Sequence, residues 1–390
     1  MSNMLAVRIA NGLHTAHVAN RVRKLDERSS AQRVTITLDG RALINFSSND
    51  YLGLAAHPRV VARVHAELAQ HGFGSGSAAL LSGRSSLHAE LERELATYTG
   101  MESALMFSSG YLANLGALTA LTTSTDLLLH DRLNHASLID GVLASGAHHR
   151  RYPHGDTQRV KTLLQHAEND LRWVVTESIF SMNGDLAPLP ELDIACADHG
   201  AVLYIDDAHG FGVLNAGRGA AAALPPERRA SLVTMITLGK TLGSVGGVVL
   251  CNAAVSEFLV QRARTYIYDT ALPPVCAAAA LEALAVMRET PLRASELLSR
   301  VQSFRDRAAT LEIPLTESTS PIQPIMIGND ARALAVAHTL HEAGFYVRAI
   351  RPPTVPEGTA RLRITLTHDH TDEHIDLLTR ALASALLQST

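Results

Sequence analysis

Leu203-Tyr-Ile-Asp206-Asp207-Ala-His209-Gly210 is an apolar strand that ends abruptly in two acids and a histidine, and Thr234-Met-Ile-Thr237-Leu-Gly239-Lys240-Thr241-Leu-Gly243 is a second strand that runs into a hydroxyl, a glycine and a lone lysine. In open α/β sheets ligands bind beyond the carboxyl ends of the strands, so both segments deliver chemistry to one edge. Around them, short apolar runs alternate with helical patterns from about residue 46 to 285. That alternation predicts an α/β fold with a mainly parallel sheet and crossover helices. Its expected strands are Ala104–Phe107, Leu127–Leu129, Trp173–Thr176, Val202–Ile205, Val233–Thr237 and Gly247–Cys251. Ser85-Ser86 caps a helix ending near Gly100, and another helix stops at Gly200.

Residues 1–45 form an arm: a basic helical stretch, Asn20 to Lys24, then strand Val34–Leu38, turn Asp39-Gly40 and strand Leu43-Ile44. Residues 286–390 read as a smaller α+β domain. It opens with an Arg- and Glu-rich helix to about Leu311, has strands at Gln323–Ile327, Tyr346–Ile350 and Leu362–Leu366, and has helices at Ala331–Ala343 and Asp372–Leu387.

A chain of 390 residues, 46% apolar and 18% charged, buries a sizeable core, and it has no apolar run of about 18 residues to span a membrane. No secretory signal is visible, so a cytoplasmic protein is expected. A net charge of −4 and 4% aromatics do not suit a nucleic-acid binder. The three cysteines, Cys196, Cys251 and Cys276, are too scattered for a disulfide framework and read as buried thiols. His148-His149 and His368-Asp369-His370 lack metal-site spacing and read as surface or loop residues, so no metal is expected.

Asp206 and Lys240 make chemical sense as a pair. A lysine amine forms an imine with an aldehyde cofactor, and a carboxylate at a neighbouring strand end holds a protonated pyridine nitrogen. Taken singly, Asp206 is also readable as a helix cap and Lys240 as a surface lysine. Phe107-Ser-Ser109-Gly110-Tyr111-Leu-Ala-Asn114 supplies a strand, a glycine turn and a helix start for a phosphate, or an ordinary strand-to-helix turn. Gly74–Gly83 lacks both a preceding strand and the dinucleotide spacing.

Five blocks carry a resemblance: Asn45-Phe-Ser-Ser-Asn49-Asp-Tyr-Leu-Gly-Leu54, Asp131-Arg-Leu-Asn-His135, Thr176-Glu177-Ser-Ile-Phe-Ser181-Met-Asn-Gly-Asp185, and the segments around Asp206 and Lys240. In that order they resemble the α-oxoamine synthases, within the fold type I (aspartate aminotransferase-like) enzymes that use pyridoxal 5′-phosphate. The likeness spans roughly residues 20 to 367. Ile350-Arg351-Pro-Pro-Thr354 through Arg361-Leu-Arg363-Ile-Thr-Leu366 is most similar to the biotin-pathway members. The resemblance implies a PLP-dependent acyltransferase that condenses L-alanine with a pimeloyl thioester, carried by coenzyme A or acyl carrier protein, and releases the thiol and CO₂.

It also implies roles. Lys240 carries the cofactor as a Schiff base and moves the Cα proton, Asp206 pairs with the pyridine nitrogen, and His209 meets the ring 3′-oxygen. His135 stacks on the ring, with a packed core histidine as the alternative. Ser181 and Thr237 anchor the cofactor, and the Gly110-Tyr111 turn meets its phosphate. Arg363 with Asn49 grips the amino-acid carboxylate, while Arg23 and Thr354 face the acyl chain. Two positions depart from the pattern: Ala79-Leu80, where a basic residue is usual, and Asp269, where a hydroxyl or amide is usual, so only Thr270 of that segment is assigned to the cofactor. Tyr266–Pro274 and the arm further imply a homodimer with shared active sites. The alternatives are a glycine-using synthase of the same family, a non-catalytic PLP-binding paralogue and a nucleotide-binding module.

Overall fold

A computed structural model describes residues 3–388, so the outer ends of the arm and of the C-terminal segment lie outside the described residues. The first of its two compact units takes in the described residues up to Asn49, Met182–Gly184, and those from Leu298 on. The second comprises Asp50–Ser181 and Asp185–Leu297.

In the first unit a helix spans Met4–Val18, opened by Asn3, whose side chain accepts the Ala6 N–H at 3.3 Å. The basic stretch Asn20–Lys24, expected to be helical, is coil. Asn20 takes φ 55°, which ends the helix, and the backbone carbonyls of Asn20 and Val22 accept from the Arg351 guanidinium instead of from a following turn. Strands β1 (Thr35–Leu38) and β2 (Arg41–Asn45) then form the expected hairpin. Its two-residue turn has positive φ at both Asp39 and Gly40, the mirror-image geometry that matches strand twist.

The second unit is built on a seven-stranded sheet. Its strands are β3 (Ser103–Phe107), β4 (Leu127–Asp131), β5 (His148–Tyr152), β6 (Arg172–Glu177), β7 (Val202–Asp206), β8 (Leu232–Thr237) and β9 (Gly247–Cys251), in the order β3-β9-β8-β7-β6-β4-β5. Strands β4 to β8 run parallel, and β9 is antiparallel to both neighbours. Leu128, Val175, Tyr204, Val233 and Val249 are buried in the sheet's core, as both-faced burial demands. Register aligns Glu177 with Asp206 and Asp206 with Met235, so the ends of β6, β7 and β8 share one edge. Ser85 caps the helix Ser86–Thr99, and left-handed Gly100 closes it. The alanine-rich helix Pro274–Glu289 packs on Pro58–His71, where Arg59 reaches Glu282 at 2.7 Å.

Back in the first unit, β10 (Ile322–Gly328) pairs antiparallel with the later strand Ala360–Thr365. The single strand expected over Tyr346–Ile350 is two: β11 (Phe345–Tyr346) extends the hairpin beside β2, and β12 (Arg348–Ile350) joins β13 (Ala360–Thr365). A side-chain pattern cannot reveal a strand changing sheets after two residues. His370 also departs from expectation. It is fully buried, stacked on Phe46 with ring centroids 3.9 Å apart, and its Nδ1 accepts the Thr367 N–H at 2.8 Å. Cys196 and Cys251 are buried and Cys276 is half-buried. No helix among the described residues is long and apolar enough to cross a membrane.

Candidate active site

Asp206, the last residue of β7, is 4% exposed. Its Oδ2 accepts from Asn114 Nδ2 at 2.7 Å and its Oδ1 from the Ala208 N–H at 3.0 Å. Asn114 is itself oriented, donating to Ser137 Oγ at 2.9 Å and accepting from Tyr204 OH at 2.8 Å. The carboxylate is therefore fixed by two donors, one on the helix Gly110–Leu121 and one in the backbone just beyond β7.

The strand end of β8 leads through Leu238 and Gly239 to Lys240, which is half-buried. Thr237 shapes that exit: its hydroxyl donates to the Gly246 carbonyl at 3.0 Å and accepts the Gly239 N–H at 3.2 Å. Lys240 Nζ lies 2.8 Å from Nε2 of buried His209, whose Nδ1 is 2.5 Å from Tyr51 OH. An ammonium only donates, so Nε2 accepts and the Nδ1–H points to Tyr51. Tyr51 was not singled out by the sequence reading; it sits within the Asn45–Leu54 block that carried the resemblance.

Glu177 is the other group missed. It ends β6 as Asp206 ends β7, is 2% exposed, and receives the Ser181 N–H at 3.3 Å and a backbone hydrogen bond from His135. Burial first, and the neighbouring Asp206 second, push its carboxyl well above the usual range.

His135 caps the helix Ala136–Ala144, its Nδ1 taking the Ser137 N–H at 3.2 Å. Its side chain is exposed rather than packed in the core. Ser109 caps the helix Gly110–Leu121, accepting the Leu112 N–H at 3.1 Å, so the first N–H groups, those of Gly110 and Tyr111, face outward at the positive end of the helix. A side chain at Gly247 would strike the Ser109 carbonyl at 2.5 Å, so β9 passes directly beneath this turn. Tyr111 donates its hydroxyl to Asp140.

Thr270 does not join this group of contacts. It pairs with Ala78, and its N–H meets Asp269 Oδ1 at 2.9 Å, while Ser108 donates to the same carboxylate. Ala79-Leu80 begins the turn Ala79–Gly83, with Leu80 exposed. Within the first unit, Arg363 is buried on β13 and donates through Nη1 to Asn49 Oδ1 at 3.1 Å and Thr365 Oγ1 at 3.0 Å. Exposed Arg23 and Thr354 meet there at 3.4 Å.

The family model for aminotransferase class I and II matches residues 41–382. The chain belongs to that family. Among this family member's curated relatives are 8-amino-7-oxononanoate synthases from Methylococcus capsulatus, 48% identical with 96% of each chain covered, and from Alkalilimnicola ehrlichii, 45% identical with 100% of this chain and 98% of the other covered. Among solved structures, Sphingomonas wittichii serine palmitoyltransferase matches with TM-score 0.92 and 28% identity over 100% and 99% of the two chains. The 8-amino-7-oxononanoate synthase of Francisella tularensis matches with TM-score 0.76 and 30% identity over 89% and 98%. A serine palmitoyltransferase holding PLP also matches with TM-score 0.92 at 26% identity, covering 100% and 99%.

Proposed function

We propose that the chain is an 8-amino-7-oxononanoate synthase, a PLP-dependent acyltransferase that joins L-alanine to a pimeloyl thioester. The observation that carries the reading is the Lys240–His209 contact beside the braced Asp206 carboxylate, in a chain 48% identical to a synthase of that name. The donor set fits PLP: an amine for its aldehyde, a buried carboxylate for its pyridine nitrogen, an imidazole for its 3′-oxygen, an exposed imidazole face, and a helix start for its phosphate.

When bound, PLP supplies an electron sink that makes the Cα proton of an amino acid removable. Asp206 keeps the pyridine nitrogen cationic, since an opposite charge within a few ångströms shifts a pKa by roughly 1–3 units. Lys240 takes up the Cα proton of alanine, and Arg363 with Asn49 grips the alanine carboxylate. Acylation of that carbon by the thioester would release the thiolate, the carboxyl group would then leave as CO₂, and Lys240 would return a proton to the carbon. His209, His135, Ser181, Thr237 and the Gly110-Tyr111 turn hold the cofactor, Thr270 reaches the cofactor of a second copy of the chain, and Arg23 and Thr354 face the acyl chain. Identity favours this specificity over the serine palmitoyltransferases, which match at 28% and 26%.

A cytoplasmic homodimer with shared active sites completes the proposal. The dimer is supported by the exposure of Phe73, Leu81 and Tyr268 at 71%, 81% and 72%, large apolar side chains that a second copy would cover. The test is turnover. L-alanine with a pimeloyl thioester, on coenzyme A or on acyl carrier protein, should release thiol and CO₂ in equal amounts, with glycine and a succinyl or acetyl thioester far slower. A higher kcat/KM for glycine with a short acyl thioester sinks the specificity and leaves the PLP chemistry standing.

A further inference from the structure

Pro153-His154-Gly155 follows β5, and His154 has a carboxylate on each side. Its Nδ1 lies 3.0 and 3.1 Å from the two oxygens of Asp131, and its Nε2 lies 2.6 Å from Asp185 Oδ2. Carboxylates only accept, so both ring nitrogens must carry hydrogen and the ring is an imidazolium. Asp131 is 1% exposed and is held in turn by the N–H groups of Leu133 at 2.8 Å and Gly155 at 2.9 Å.

The two carboxylates anchor different loops. Asp131 ends β4 and starts the turn to His135, in which Asn134 donates to the Val175 carbonyl at 2.9 Å. Asp185 sits at the base of a tight hairpin, where Ile179 bridges Leu186 and the Phe180 N–H meets the Asp185 carbonyl at 2.9 Å, with Ser181 just beyond. The edge of His154 also abuts Phe180, the ring centroids 4.3 Å apart at 90°. We infer that His154 is a positioning residue whose imidazolium ties the turn carrying His135 to the hairpin carrying Ser181, and so sets the spacing of two groups that hold the cofactor. The inference rests on the cofactor roles proposed for those two residues.

The tie has a pH range. Burial opposes the charge on His154, but the hydrogen bonds to Asp131 and Asp185 outweigh it and raise the pKa to about 9. The charged groups acting on the ring are Asp131 from β4 and Asp185 from the hairpin; the Tyr152 hydroxyl at the end of β5 stays neutral, because burial and Asp131 drive its pKa upward. A raised pKa means that the tie is intact near neutrality and is lost as pH rises through about 9.

Two measurements on the full-length protein test this. In the apoprotein, the urea midpoint of wild type should fall as pH rises from about 6.5 to about 9, His154→Gln should be flat across that range, and Asp185→Asn should complete its fall at lower pH. For PLP affinity, His154→Gln should bind about tenfold more weakly than wild type at pH 7.5, and the ratio should shrink towards one at pH 10, because wild type loses the tie that the variant already lacks. A merely structural histidine would give a constant ratio, and that result, or a ratio near one at pH 7.5, overturns the inference. Should His154→Gln fail to fold, Asp185→Asn decides by the same convergence. A wild-type protein that does not bind PLP defeats the cofactor reading instead, and the urea profile still decides whether the tie exists.

Discussion

Replacing Arg363 isolates the grip on the amino acid from the hold on the cofactor. The guanidinium is 8% exposed and is oriented by two neutral oxygens, Asn49 Oδ1 and Thr365 Oγ1, through one of its nitrogens. Its fork matches a planar carboxylate. Hydrogen bonds to a charged partner contribute roughly 1.5–3 kcal/mol, so Arg363→Ala should weaken L-alanine binding about 10- to 150-fold. Arg363→Lys keeps the charge without the fork and should fall between, about tenfold weaker than wild type. Because Arg363→Ala also removes a donor from Asn49 and Thr365, it should cost about 1–2 kcal/mol of folding stability, which urea unfolding measures separately. The assay is titration of the PLP-loaded protein with L-alanine, with PLP affinity determined in parallel and expected to change less than twofold. Alanine binding unchanged in Arg363→Ala, or a loss of PLP affinity as large as the loss of alanine affinity, refutes the assignment.

Lys240→Ala should abolish turnover and the borohydride-reducible link to PLP; a reducible link at another lysine, located by peptide mapping, would transfer the role. Acid should destabilise the fold through its buried histidines. Burial, with His374 nearby, lowers the His370 pKa to about 3, and burial with His149 nearby lowers that of His130 to about 4. The unfolded chain therefore takes up protons below about 6.5 that the folded state refuses, so stability present above that pH is lost as pH falls. For His370 the loss approaches about 5 kcal/mol, complete only below about pH 3. His370→Phe should flatten the decline of the urea midpoint between pH 7 and 4.5, and an unchanged slope would assign the acid sensitivity elsewhere.

The strand ends that bear Asp206 and Lys240 were legible because a buried parallel strand is a run of apolar residues, and its abrupt end in polar ones marks the edge where ligands bind. The direction of β9 was not, since period-two alternation is blind to polarity. Strand β5 left no apolar signal: His148, His149, Arg150 and Arg151 are all exposed, and its ladder is formed with β4 alone. Asn20–Lys24 was misread because helix propensity is local, whereas its carbonyls are claimed by Arg351, distant in sequence. His154 and Glu177 escaped for the same reason. Their partners, Asp131 and Asp185 for one and the backbone of His135 and Ser181 for the other, are brought together only by the parallel pairing of β4 with β6, which sets the strand ends side by side.

Strand β5 also has a consequence for handling the protein. It ends the sheet, so it offers one row of backbone N–H and C=O groups along which another chain's strand could add and start an aggregate. Two arginines and two histidines project from that row, and an incoming strand would have to pass among them. The like charge of Arg150 and Arg151, with the bulk of all four side chains, keeps the sheet from recruiting neighbours at high concentration.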